Sequence, residues 1–238
     1  MKISGLNKLT LLDYPKHTAC TVFLPGCNFT CPFCHNASLV LRPGTQPEIT
    51  EDELFAFLKK RTSILEGVCI TGGEPTLQRD LPELIRKIKD MGFDVKLDTN
   101  GTNPDLLNTL FDEGIVDYVA MDVKNSPSLY PITVGWEKVD VSVIKRSIDL
   151  IMARARDYEF RTTVMPELHT AASIAEMGEW IRGARRAFLQ AYRAGEDVIC
   201  PTFTEPDEAF MQGLKSVLSQ FVGEVGIRGG IKRQFYTA

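Results

Sequence analysis

Six short apolar, β-branched runs recur along this chain, at residues 19–24, 67–71, 93–98, 118–123, 160–164 and 187–192, and helical patterns separate them. Strands joined through helices cannot pair as hairpins, so they lie parallel, each crossover helix covering the sheet. The helices are punctuated. Thr50-Glu-Asp-Glu53 reads as a capping box opening Leu54-Phe-Ala-Phe-Leu58, Asp80 precedes a helix over 81–91 stopped by Gly92, and Pro104 opens one closed by Gly114. Residues 125–139 lapse into a Pro- and Gly-bearing loop, and 205–222 reads as a final helix before a short strand and a tail. With 238 residues, 44% of them hydrophobic, and no repeat or linker, the chain is expected to form one domain over residues 1–238. The class is α/β, and the rhythm alone leaves an open doubly wound sheet and a barrel equally available.

Both architectures place chemistry at the C-terminal ends of the strands. Four polar clusters fall there: the loop Cys27-Asn-Phe-Thr-Cys31-Pro-Phe-Cys34, then Thr71-Gly-Gly-Glu-Pro75, Leu97-Asp-Thr-Asn-Gly101 and Met121-Asp-Val-Lys124. A three-thiolate loop is a metal site one ligand short. A four-iron cube normally takes four cysteines, and held by three it keeps one iron open. Zinc is the first alternative, with His35 as a fourth ligand, although structural zinc sites draw ligands from separated knuckles and His35 adjoins Cys34. A disulfide knuckle is the second and needs an oxidising compartment. Cys20, Cys69 and Cys200 stand alone in apolar, strand-like contexts and read as small buried hydrophobes.

A net charge of −4 argues against extended binding to a phosphate backbone, and Arg182, Arg185 and Arg186 read as a solvated helix face. No apolar run reaches the length of a membrane span, and the N-terminus lacks a signal-peptide core, so a cytoplasmic location is expected, with neither nucleic acid nor membrane as partner.

The segment Pro25-Gly-Cys27-Asn-Phe-Thr-Cys31-Pro-Phe-Cys34-His-Asn36, followed by Gly72-Gly-Glu-Pro75, Asp98-Thr-Asn-Gly101 and Asp122-Val-Lys124, resembles the radical S-adenosylmethionine superfamily, and within it the glycyl-radical-enzyme activases. The resemblance implies a partial (β/α)6 barrel and a catalytic [4Fe-4S] cluster on Cys27, Cys31 and Cys34. It implies S-adenosyl-L-methionine on the open iron, with Gly72 and Gly73 carbonyls meeting its ammonium, Glu74 fixing that loop, Phe33 beside the adenine and Thr99 on the rim. Lys124, Arg161 and His169 match positions near the cofactor, and Asp98, Thr99, Asp122 and the Ala120 backbone match the ligands of a monovalent cation. Plainer readings accompany these: an ordinary Gly-Gly turn, Asp98 capping a turn, Lys124 pairing with Asp122, and His169 as a structural hydrogen-bonder.

Ser4-Gly-Leu-Asn-Lys-Leu-Thr-Leu-Leu-Asp-Tyr-Pro15, residues 124–135 with Tyr130, and Arg161-Thr-Thr-Val164 most resemble the branch that activates anaerobic ribonucleoside-triphosphate reductase. That resemblance implies a glycyl-radical enzyme as partner and a flavodoxin- or ferredoxin-type electron donor. A pyruvate formate-lyase activase and a radical enzyme acting on a small molecule are the alternatives. No second cysteine-rich insert separates Cys34 from Gly72, so a single cluster is expected. The expected docking surface is the open barrel edge with residues 125–139 and the basic residues Arg228, Lys232 and Arg233, for which a solvated tail is the plainer reading.

Overall fold

The computed structural model describes residues 1–229. Eight strands form one sheet in sequence order: β1 (Gly5–Thr10), β2 (Ala19–Leu24), β3 (Gly67–Gly72), β4 (Asp94–Thr99), β5 (Tyr118–Asp122), β6 (Tyr158–Val164), β7 (Arg186–Ala191) and β8 (Glu224–Arg228). β2 through β8 run parallel, and β1 pairs antiparallel with β2. The sheet curls into a partial barrel whose two edge strands, β1 and β8, do not pair. Strands β2 to β7 are the six expected from sequence. β8 is the short strand expected after the final helix and makes a seventh parallel strand, and β1 was not expected: its residues Asn7, Lys8 and Leu9 are exposed, so it carries no apolar alternation to read.

Parallel strands covered on both faces must be apolar throughout, and β2 (ACTVFL) and β3 (GVCITG) are buried almost along their length. The helices end where their signals lie. Thr50 and Glu53 form the reciprocal capping box, Asn103 accepts from the Leu106 amide at 3.2 Å ahead of Pro104–Glu113, and Gly114 closes that helix at φ 66°. Three expectations are corrected. The final helix is Glu208–Leu218, started late because Asp207 caps it through the Phe210 amide at 2.8 Å. Residues 125–139 contain a short helix, Tyr130–Val134, packed on the cysteine loop through Thr30 N to Val134 O at 3.1 Å. Arg182, Arg185 and Arg186 share no helix face: Arg182 pairs with Glu179, Arg185 lies over the Tyr158 ring at 4.7 Å, and Arg186 opens β7 against Asp157.

Two features close the barrel away from the cysteine loop. Tyr14, 2% exposed, stands on the β1–β2 connection, stacks on His17 at 4.0 Å and meets Tyr118 at 5.9 Å. It covers Gly67, where a Cβ would come within 2.8 Å of the Tyr14 ring. On β8, Arg228 is no free tail residue: it donates to both oxygens of buried Glu159 at 2.6 and 2.7 Å and lies 3.6 Å from the Phe188 ring centroid. Lys232 and Arg233 lie outside the described residues. Among the described residues no helix is long and apolar enough to cross a membrane.

Removing the Tyr14 ring leaves a void between Gly67 and Tyr118 that neither neighbour fills. Tyr14→Ala is therefore expected to lower stability by about 3 kcal/mol, the range for deleting a buried aromatic, read as a lower urea midpoint with unchanged m value.

Candidate active site

The cysteine loop leaves the end of β2 and is held by the turn that follows β3. Gly73 N donates to Leu24 O at 2.9 Å and Glu74 N to Gly26 O at 2.7 Å, while Gln78 Nε2 reaches Pro25 O at 2.8 Å. Only glycine fits this seam: a Cβ on Gly72 would lie 2.2 Å from Leu24 O, and one on Gly73 would lie 1.9 Å from Gly26 O. The close approach expected of Gly72 and Gly73 is thus made to the cysteine loop itself. A side chain at either position would displace the thiols as well as anything bound beside them. Gly72 sits at φ +125°, and its carbonyl accepts from Asn36 Nδ2 at 2.9 Å.

The Cys27, Cys31 and Cys34 thiols open on one cavity of about 460 Å³. Phe29 N donates to Cys27 Sγ and Asn36 N to Cys34 Sγ, each at 3.4 Å, and Asn100 Nδ2 lies 3.8 Å from Cys27 Sγ. Burial pushes the Cys27 thiol up to about 11 and that of Cys31 to about 12, and raises Cys34 too, so binding a metal here releases protons. Among the described residues, no three His, Cys, Asp or Glu side chains converge tightly enough for a single ion. A cube takes each thiol on a different iron, so three thiols lining one cavity fit it, whereas a single zinc would still need a fourth ligand. His35 also lines the cavity, but its Nε2 is engaged with the Arg193 carbonyl at 2.7 Å. All six cysteines are free thiols. Cys200 is half-buried in a turn, not in a strand, and its amide holds the cysteine loop through Pro32 O at 2.7 Å.

Glu74 ties the second and third polar clusters together. It is 1% exposed and accepts from Thr76 N and Oγ1, Thr99 Oγ1 and Asn100 N at 2.6 to 3.0 Å. Burial raises its pKa against the pull of these donors. Asn100 then passes the order on, donating to Asn28 Oδ1 at 2.9 Å within the cysteine loop.

Across the cavity runs a ladder of alternating charge: Lys96, Asp98, Arg161, Asp122, Lys124. Lys96 and Asp98 sit two residues apart on β4 and share its inner face. Lys96 Nζ pairs with Asp98 Oδ1, Arg161 Nη1 lies 3.0 Å from Asp98 Oδ2, Arg161 Nε lies 2.9 Å from Asp122 Oδ1, and Lys124 Nζ lies 2.9 Å from Asp122 Oδ2. Burial pushes both carboxylates up, but Arg161 with its neighbouring lysines outweighs it, holding Asp98 low and bringing Asp122 to about 2. Burial likewise opposes the charge on Lys124 and Arg161, and Asp122 keeps both above their ordinary values.

Phe33, Gly72, Gly73, Asp98, Thr99, Asp122, Lys124 and Arg161 all line the cavity with the three cysteines. Three expected residues do not. Glu74 stands behind the rim as its brace. Ala120 is fully buried in β5. His169 has the contacts of the plainer of its two readings: fully buried, it meets Lys124 O at 3.0 Å and Met165 O at 3.3 Å, and burial lowers its pKa. Sequence reasoning passed over Asp13, Thr163 and Gln190, which also line the cavity, and Lys96 beneath it. The signal for Lys96 was its position two residues before Asp98; Thr163 and Gln190 carried none beyond the inward phase of their strands.

The Radical SAM superfamily model matches residues 21–179. This chain belongs to the radical S-adenosylmethionine superfamily. Membership implies a [4Fe-4S] cluster and S-adenosyl-L-methionine, and the thiol set fits the first. A Methanocaldococcus jannaschii protein provisionally named a glycyl-radical enzyme activating enzyme is 32% identical over 237 residues, covering 95% of each chain. A probable GTP 3',8-cyclase of Sulfurisphaera tokodaii is 40% identical over 86 residues, 35% of this chain and 26% of that protein. Among solved structures, TYW1 with a lysine–pyruvate adduct bound shares the fold with a TM-score of 0.61 at 17% identity, over 85% of this chain and 73% of that one.

Asp122 gives a pH test. Its pKa of about 2 in the folded chain lies below the ordinary carboxylate value of about 3.9. Its contribution is therefore fully present above that ordinary value and is lost as pH falls toward 2. Urea midpoints measured across this window are expected to fall less steeply with acidification in Asp122→Asn than in the parent chain.

Proposed function

We propose that this chain is an activase: it cleaves S-adenosylmethionine reductively and generates a glycyl radical on a partner enzyme, anaerobic ribonucleoside-triphosphate reductase. The observation that carries the reading is the pairing of three thiols with the Arg161 and Lys124 cations around one cavity of an unclosed barrel. The activase name of the M. jannaschii relative, matched over nearly its whole length, supports it. The cyclase match spans too little of either chain to favour a small-molecule substrate.

The bound cluster would supply the electron for reductive cleavage of the sulfonium, and the resulting 5'-deoxyadenosyl group would accept the Cα hydrogen of the target glycine. The chain's own residues bind and orient. Cys27, Cys31 and Cys34 would hold the cluster; Arg161 and Lys124 would offer positive charge to the methionine carboxylate; the Gly72 and Gly73 carbonyls would accept from the ammonium; and Phe33 would pack beside the adenine. A monovalent ion is not part of this reading, because an ion between Asp98 and Asp122 would stand against the three cations, Lys96, Arg161 and Lys124, that already pair with their oxygens. The partner glycine enters on the unpaired side of the barrel, near Thr163 and Gln190. The electron comes from a flavodoxin- or ferredoxin-type donor, and the reduced thiols suit a cytoplasmic location.

Replacing Cys27, Cys31 or Cys34 with Ser is expected to abolish 5'-deoxyadenosine formation after anaerobic reconstitution, whereas the triple change of Cys20, Cys69 and Cys200 to Ala leaves the cluster absorbance in place. Mixed with the reductase, cofactor and reductant, the parent chain is expected to give a glycyl doublet in electron paramagnetic resonance that collapses when the target glycine is deuterated at Cα. A doublet on pyruvate formate-lyase alone reassigns the partner. Cofactor cleavage with no protein radical on either enzyme removes the activase reading.

A further inference from the structure

The ladder begins with a residue that nothing in the cofactor chemistry requires. Lys96 is 1% exposed, it does not line the cavity, and among the described residues its ammonium meets Asp98 Oδ1 and, at 3.5 Å, Cys69 Sγ. Removing an ammonium from water costs several kcal/mol unless a carboxylate compensates. A lysine standing behind a carboxylate, out of reach of any ligand in the cavity, acts only through that carboxylate.

The pattern of donors shows what it does there. Asp98 and Asp122 present four oxygens, and Lys96, Arg161 and Lys124 each take one or two of them, so a free ion would have to share every oxygen with a fixed cation. Three cations against two carboxylates leave one net positive charge in the ladder. Without Lys96 the balance is zero: Arg161 and Lys124 would offset the two carboxylates, and Asp98 Oδ1 would be left buried without a partner. An alkali ion, which takes oxygen ligands, is what such a vacancy attracts. The expected monovalent cation therefore does not fit this site as built.

We propose that Lys96 is a positioning residue that serves as a built-in counter-cation: it neutralises Asp98 from behind in place of a free monovalent ion, leaving the positive charge of Arg161 and Lys124 to face the cofactor carboxylate. Because the ammonium is covalently attached, the charge is present at every salt composition and no ion has to be recruited before the cofactor binds. The proposal rests on the reading that S-adenosylmethionine occupies this cavity, but its first test does not use the cofactor.

Equilibrium dialysis of the reconstituted protein against rubidium chloride is expected to find no bound rubidium in the parent chain and about one equivalent in Lys96→Met, which keeps the length of the side chain and removes its charge. S-adenosylmethionine affinity, measured by calorimetry at equal ionic strength, is expected to be the same within about twofold in sodium, potassium and tetramethylammonium chloride for the parent chain. Lys96→Met is expected to bind about tenfold more weakly in tetramethylammonium, a loss of ~1.4 kcal/mol, and to recover in potassium or sodium. Stoichiometric rubidium in the parent chain, or an alkali requirement for its cofactor binding, overturns the proposal, and both are read without any variant. A folded Lys96→Met indistinguishable from the parent in every salt also overturns it. Absence of cofactor binding by the parent chain in all three salts counts against the cofactor reading, and the rubidium result still decides the role of Lys96.

Discussion

The site depends on a backbone seam with no room for side chains. Where β3 ends, Gly72 and Gly73 lie so close to Leu24 and Gly26 that a Cβ on either would overlap a carbonyl oxygen. The two amides that follow, of Gly73 and Glu74, bind the start of the cysteine loop. A loop of eight residues bearing three thiols has no helix or sheet of its own to stiffen it. The seam provides the stiffness, and backbone bonds from Thr30 to Val134 and from Cys200 to Pro32 hold the outer side. Thiol geometry is thus set by segments far apart in the chain.

The opposite wall is set by charge. Lys96, Asp98, Arg161, Asp122 and Lys124 alternate in sign, so each group offsets the desolvation of the next. Breaking one member of such a set costs more than its own hydrogen bonds, because its partner stays buried and unpaired. Arg161 is the shared element, bonding both carboxylates from β6 and fixing β4, β5 and β6 at one level. Lower in the barrel, Glu159 and Arg228 make the same arrangement between β6 and β8, which anchors an edge strand that otherwise has one neighbour.

The motifs were legible because each is local. Cysteine spacing, the Gly-Gly-Glu-Pro turn and the carboxylates at the ends of β4 and β5 are short patterns, and so are the capping box at Thr50 and the stop at Gly114. The open and mistaken readings concern groups whose meaning depends on a distant partner. His169 kept two readings until its ring was found between the Lys124 and Met165 carbonyls. Arg228 looked like a free basic residue, yet Glu159 holds it from 69 positions away. Strand β1 escaped notice because an edge strand with one exposed face need not carry an apolar pattern.

By itself the sequence determined the order of strands β2 to β7 with their crossover helices, the parallel α/β class and the thiol loop that joins the chain to its superfamily, since apolar period and ligand spacing are properties of neighbouring residues. Only the tertiary structure decided which cations face which carboxylates. Lys96, Arg161 and Lys124 come from three different strands or their ends, and their competition for four buried oxygens exists only once the barrel brings those strands together and removes the water between them.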